Sequence, residues 1–301
     1  MHVLITGGSG FVGSALCRAL IARGDHVTVL TRDAASTTAR RLPPAVTRVE
    51  SLDALRDPGS PDVVINLAGE NLGAGRWTPA RKRRMVDSRV DTTRALVEWI
   101  GRQRTRPRLL LSASAIGWYG ARGDEILDES SPPGGDDEFT VSLCRQWEAA
   151  AQAAREYGVN VGCVRIGIVL DRDGGSLARL LPPFRLGLGG PIGSGRQWMS
   201  WIHRDDLVAL LVALSQRRDV DGAYNATAPQ PVTNRRFAQA LGRALRRPAL
   251  LPMPGIVLHA LIGEMADILL TGQRVLPHRL GALGFEFAHP DLDHALRSIL
   301  G

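Results

Sequence analysis

Three glycines, at positions 7, 10 and 13, lie in the run Thr6-Gly-Gly-Ser-Gly-Phe-Val-Gly13. An apolar run, Val3-Leu4-Ile5, precedes it and a helical pattern, Ser14–Arg23, follows. A glycine turn between a strand and a helix can bind the pyrophosphate of a dinucleotide. Gly7 permits the tight turn, Gly10 lets the backbone approach the pyrophosphate, and Gly13 lets helix and strand pack closely. The amides at the helix start, those of Phe11, Val12 and Gly13, then face the phosphates. The next strand, His26–Leu30, ends at Thr31-Arg32-Asp33. An acid at the position of Thr31 would accept from the ribose 2′-OH of NAD, and here it is absent. Arg32 offers forked, charged donors to the 2′-phosphate of NADP. Asp33 keeps NAD open as the other reading, and NADP is the expectation.

These residues need a sheet to hold them. Asp62–Asn66, Arg108–Ser112 and Val159–Val164 read as further strands, with helical patterns at Pro79–Gln103 and Val141–Tyr157 between them. Alternating strands and helices imply an α/β fold with a doubly wound parallel sheet. Residues 1–170 are expected to form this dinucleotide-binding domain. After about residue 170, Pro182-Pro183, Gly189-Gly190-Pro191 and Gly193-Ser-Gly195 mark a loop-rich stretch. Helical patterns follow at Arg204–Ser215, Asn234–Leu245, Ile256–Leu270 and Leu292–Leu300. Residues 171–301 read as a smaller, mostly helical part covering a substrate, with 200–228 returning to the first domain.

Composition limits the alternatives. Over 301 residues, 44% hydrophobic and 22% charged, the chain has a globular balance. Its net charge of +7 comes mostly from arginine, since Lys82 is the only lysine. The run Arg81-Lys82-Arg83-Arg84 lacks interleaved aromatics, so it reads as a solvated helix face and no nucleic-acid partner is expected. The cysteines at 17, 144 and 163 form no disulfide or zinc pattern. Ile256–Leu270 is too short and polar to span a bilayer, so no membrane partner is expected. The sparse, odd cysteine set makes a reducing cytoplasm the expected setting, no signal peptide is expected ahead of the first strand, and a homodimer is open.

The glycine turn, Asn66-Leu67-Ala68-Gly69 and Ser112-Ala-Ser114 together resemble the extended short-chain dehydrogenases/reductases. Residues 181–196, Trp201-Ile-His-Arg-Asp-Asp206, Arg76-Trp77 and Trp147-Glu148 narrow the resemblance to an atypical, epimerase-family branch, also labelled cell-division-inhibitor-like. Gly272-Gln-Arg-Val-Leu-Pro277 and Gly284-Phe-Glu-Phe287 resemble that branch's own terminal domain, at about 248–298. The resemblance implies a Rossmann fold binding NADP(H). It places Leu67 and Ala68 on the adenosine side, and Gly167 to Val169 beside the nicotinamide. It also puts Arg89 near the cofactor; a surface helix charge is the other reading of that residue.

The resemblance implies, too, a tyrosine as proton donor with a lysine four residues later to lower its pKa. The chain cannot supply that pair, because Thr78 precedes Lys82 by four. Aligned on Trp147-Glu148, the tyrosine position falls at Phe139 or Thr140 and the lysine position at Leu143 or Cys144. Ser114 remains as a hydroxyl to orient the substrate, and Tyr119 as the replacement proton donor. The expected activity is an NADP(H)-dependent oxidoreductase acting on a small metabolite held under Trp198 and Trp201. A non-catalytic NADP(H) sensor or scaffold with a protein partner is the alternative. A nucleotide-sugar epimerase is a third reading, weakened because Met199 occupies the slot of a diphosphate-binding arginine, for which Arg185 or Arg196 would have to substitute. No metal is expected.

Overall fold

The computed structural model describes residues 1–37, 42–55 and 60–301. In chain order the first half forms β1 (His2–Thr6), α1 (Phe11–Ala22), β2 (His26–Leu30), β3 (Thr47–Val49), β4 (Val63–Asn66), α2 (Pro79–Asp87), α3 (Val90–Arg102), β5 (Leu109–Ala115), β6 (Ile126–Leu127), α4 (Phe139–Gln152) and β7 (Asn160–Ile166). The second half forms β8 (Ile168–Asp171), α5 (Gly175–Arg185), β9 (Trp198–Met199), β10 (Trp201–His203), α6 (Arg204–Gln216), β11 (Gly222–Ala226), β12 (Val232–Thr233), α7 (Asn234–Leu245), α8 (Gly255–Ile262), α9 (Ala266–Leu270), β13 (Arg274–Val275), α10 (His278–Ala282) and α11 (Leu292–Leu300).

The central sheet has seven strands in the order β11-β7-β5-β4-β1-β2-β3, and every pairing is parallel. Strands buried on both faces need apolar side chains throughout, and β4 is buried at all four residues. One core, including Val3, Ile5, Leu16, Leu20 and Ile65, lies under α1 and α6. The opposite core, including Leu4, Val64, Leu96, Trp99 and Val161, lies under α3. Gly162 admits Leu111 and Val220 where any Cβ would crowd them. The strand order reverses around β1, which opens a crevice at the carboxyl ends of β1 and β4.

Several elements differ from the expectations. The helical run over Pro79–Gln103 is two helices, broken at Ser88–Arg89, where Arg89 forms the N-terminal boundary of α3. α5 forms in a stretch read as loop despite Pro182 and Pro183, because Leu177, Leu181 and Phe184 fall on one buried face. The run Ile256–Leu270 is interrupted at Gly263, whose φ is +63°. β3 and β11 are sheet strands with no apolar run long enough to mark them. β11 puts residues 222–226 at the sheet edge, against β7.

Candidate nucleotide and substrate site

The glycine turn closes against the neighbouring strand end. Gly7 has φ +68°, and a Cβ there would lie 2.5 Å from the Leu67 carbonyl oxygen. A Cβ at Gly13 would overlap the Gly7 carbonyl, so helix and turn can approach only through glycine. Gly10 donates its amide to Gly7 O at 3.0 Å and begins α1 with no side-chain cap. The first-turn amides of Phe11, Val12 and Gly13 thus point outward at the positive end of the helix, where an anion is favoured. The Phe11 ring packs against Gly174, and Val12 packs into the core, so these two contribute backbone to the cradle. Leu67 and Ala68, half-buried, form its other wall.

At the end of β2 the two charged neighbours differ. Asp33 accepts the Ala35 amide at 2.8 Å and closes its own turn. Thr31 is fastened to Val49 O through its amide, at 2.9 Å. Arg32 is exposed, and its guanidinium makes no hydrogen bond or ion pair among the described residues. Among the described residues, the crevice edge therefore presents an unpaired cation.

A buried polar cluster ties the strand ends together: Thr6, Asn66, Ser112 and Trp147 stand in separate sequence motifs that nothing local links, and Thr93 stands in none. Asn66 accepts from Thr6 Oγ1 at 2.6 Å and donates to Thr93 Oγ1 at 2.7 Å and Ser112 Oγ at 3.3 Å. Trp147 Nε1 donates to the same Thr93 oxygen at 3.1 Å. Arg89 lies beside this cluster. It is 8% exposed, so the surface-charge reading is overturned. Its guanidinium donates to Glu70 O at 2.9 Å and Met85 O at 3.2 Å, and stacks 5.2 Å from the Trp147 ring centre. A Cβ at Gly69 would lie 2.9 Å from Arg89 Cζ, so Arg89 buttresses the loop that follows Ala68. Burial lowers its pKa, and Glu70 offsets part of the effect.

Ser114 and Tyr119 end up in one buried network. Ser114 Oγ donates to Glu148 Oε1 at 2.7 Å. Arg165 donates to both Glu148 oxygens, at 2.9 and 3.0 Å, and to Tyr119 Oη at 3.0 Å. Tyr119 Oη donates to Asn225 Oδ1 at 2.7 Å. Tyr119 is fully buried, and burial, despite Arg165, pushes its pKa up to about 12. A proton donor must reach its substrate and hold a pKa near the working pH. Tyr119 meets neither condition, which corrects the expected role.

α4 also settles which of its positions face the crevice loop. Thr140 Cβ and Cys144 Sγ would lie 3.1 and 3.7 Å from a Cβ at Gly117. Phe139 turns aside to pack edge-on against Trp77, under Lys82. The face where the resemblance puts a tyrosine and lysine thus carries a threonine and a thiol. Burial pushes the Cys144 pKa up to about 12, so it holds no thiolate.

Val169 sits in β8 opposite Ile202, and Gly167 lies against Ser200 O with no room for a Cβ. Trp201 is fully buried in the second core, its Nε1 donating to Gln230 O at 3.1 Å. It cannot cover a substrate as expected, whereas Trp198 is half-buried at the surface of the same segment. α2 and the loop before it reach across to α8 and the turn after it: Arg76 donates to the carbonyls of Ala260 and Leu261, and Lys82 pairs with Glu264. Among the described residues no cluster of three or more His, Cys, Asp or Glu could hold a metal, and no helix is long and apolar enough to cross a membrane.

A glycine cradle at the switch point of a parallel sheet, continued by a separate C-terminal part, defines a Rossmann-type nucleotide-binding protein. The sequence profile of the NAD dependent epimerase/dehydratase family matches residues 3–227, and a domain of unknown function, DUF1731, matches 253–299. The chain belongs to this family. It is 41% identical over 305 residues to epimerase family protein SDR39U1 of Mus musculus, all of both chains being covered. It is also 41% identical over 306 residues to the chloroplastic SDR39U1 homolog of Arabidopsis thaliana, covering all of this chain and 87% of that protein. The crystal structure of human SDR39U1 with NADPH superposes with a TM-score of 0.88 at 38% identity, covering 100% of this chain and 99% of that one.

Proposed function

We propose that this chain binds NADPH across the Gly7–Gly13 turn and acts as an oxidoreductase on a small metabolite. The observation that carries the reading is the preformed cradle: uncapped amides of α1 beside an exposed Arg32 that has no partner among the described residues. The similar human protein crystallised with NADPH supports it. Leu67 and Ala68 would flank the adenosine, Val169 would lie beside the nicotinamide, and Arg89 would hold the loop in place. A bound NADPH supplies a hydride at the nicotinamide C4. Ser114 is 2% exposed and gives its only proton to Glu148. Its role, like that expected of Tyr119, therefore requires the buried network to open, and its oxygen then has lone pairs to offer and no donor. In that state it orients a substrate hydroxyl better than it polarises a carbonyl.

The threonine and thiol on the crevice face of α4 favour one second reading, a protein that binds NADPH without turning it over. Titration of nicotinamide fluorescence, followed by turnover screens with carbonyls plus NADPH and alcohols plus NADP⁺, separates the two. Saturable binding with turnover that Ser114→Ala abolishes supports the enzyme. Binding without turnover on either panel leaves the sensor. No binding at sub-millimolar NADPH defeats both. The compartment belongs to the same open set, since one relative is named chloroplastic.

A further inference from the structure

Among the described residues, half-buried Arg274 differs from the other arginines that hold a buried nitrogen without a hydrogen bond. Arg48, Arg81, Arg204 and Arg236 each leave one buried nitrogen without a hydrogen bond. All four commit another nitrogen, to Leu42 O, Asn71 O, Asp171 and Asp293 respectively. The Arg274 Nε is buried and unpartnered, and the rest of its guanidinium makes no hydrogen bond or ion pair among the described residues. An unmade buried donor is costly, and in Arg274 the two Nη atoms, which reach the surface, are uncommitted as well and open to a ligand. The guanidinium is held in place: it stacks 4.4 Å from the ring centre of Trp198. Trp198 is itself fixed, its Nε1 donating to Asp124 Oδ1 at 2.6 Å.

Position adds the second argument. Ser200 Oγ donates to Gln273 O at 2.7 Å and accepts from Val275 N at 2.9 Å, on either side of Arg274. The Ser200 carbonyl accepts from Ile168 N at 2.9 Å, at the start of β8. Arg274 therefore lies two strand spacings, about 10 Å, from the wall assigned above to the nicotinamide. That separation suits a small molecule that reacts at one end and is charged at the other.

We propose that Arg274, stacked on Trp198, binds an anionic group of the substrate, a carboxylate or a phosphate. Its fork of donors matches either group. The location rests on the NADPH reading; the anion site itself does not.

The test uses the purified full chain and its tryptophan fluorescence, with and without NADPH. The probes are malonate, inorganic pyrophosphate and, as an uncharged control, malonamide. Malonate or pyrophosphate should give a saturable change and malonamide none. The tighter of the two identifies carboxylate or phosphate. Arg274→Met should weaken that response about tenfold or more, as loss of charged hydrogen bonds does. Arg274→Lys, which keeps the charge, should fall between and guards against misfolding of the methionine variant. NADPH affinity should change by less than about twofold in both, the sites being distant. Equal anion responses from wild type and both variants, or no saturation by either anion, would overturn the proposal. An anion response without NADPH binding would overturn the nicotinamide reading and leave the anion site standing.

Discussion

Arg32 and Asp33 stand one residue apart at the crevice edge, and their hydrogen bonding separates them. Asp33 closes its own turn, whereas Arg32 has no partner among the described residues. Replacing Arg32 with alanine should weaken NADPH binding by roughly tenfold to a hundredfold, the worth of a charged hydrogen bond, and leave NADH nearly unchanged. Parallel titrations with both nucleotides check this. Equal losses for both would mean that Arg32 does not meet the 2′-phosphate. Gly13→Ala tests the cradle, because the added methyl would overlap the Gly7 carbonyl. Nucleotide binding should be lost at concentrations that saturate the wild type, with a lower Tm by thermal scan. These positions were legible in the sequence because a turn and its helix are local. Arg89 was not: its burial depends on Gly69 and Trp147, far along the chain, so spacing alone left it looking equally like a surface charge.

At the scale of elements, the ends of β5 and β7 and the middle of α4 are joined through Ser114, Arg165 and Glu148. Buried opposite charges are held less by their own attraction than by the cost of separating them. Burial alone would lower the Arg165 pKa, yet the contacts with Glu148 and Tyr119 raise it overall. Glu148→Gln leaves that guanidinium without its countercharge and should cost about 3–5 kcal/mol, roughly 5–8 °C in Tm. The double variant Glu148→Gln with Arg165→Met should recover part of the loss, and urea denaturation of all three proteins measures it. A Glu148→Gln variant as stable as wild type would show the pair to be dispensable. The strands and most helices were readable from periodicity, because the sheet imposes its pattern within each segment. The partners of Ser114 and Tyr119 were not, since Glu148, Arg165 and Asn225 come from three separate elements that only the folded sheet brings together.

Over the whole molecule, the C-terminal part is fastened to the sheet at the start of α6. The Asp206 carboxylate accepts the amides of Ala288 and His289, at 2.8 and 3.0 Å. Beside it His203 caps α6 by accepting the Asp205 amide at Nδ1, at 3.0 Å, and stacks 3.9 Å from the His289 ring, which stacks in turn on His294. Nothing local associates these three histidines, which lie before α6, in the loop ahead of α11 and within α11. Protonating His203 would remove the lone pair that makes the cap. Burial, then the nearby His289, lowers its pKa below the usual 6.5, against the opposing pull of Asp205, Asp206 and Asp171. A histidine whose folded pKa lies below its unfolded value takes up fewer protons when folded. Its stabilising contribution is complete above 6.5 and drains away as the pH falls from there toward the folded value. Urea denaturation should therefore find stability falling on acidification below about pH 6.5, by at most about 1.4 kcal/mol per pH unit from this one group. His203→Asn keeps a capping acceptor but cannot titrate, so its stability profile should be flatter over the same range. An unchanged slope would assign the acid sensitivity to other groups and leave His203 a cap alone.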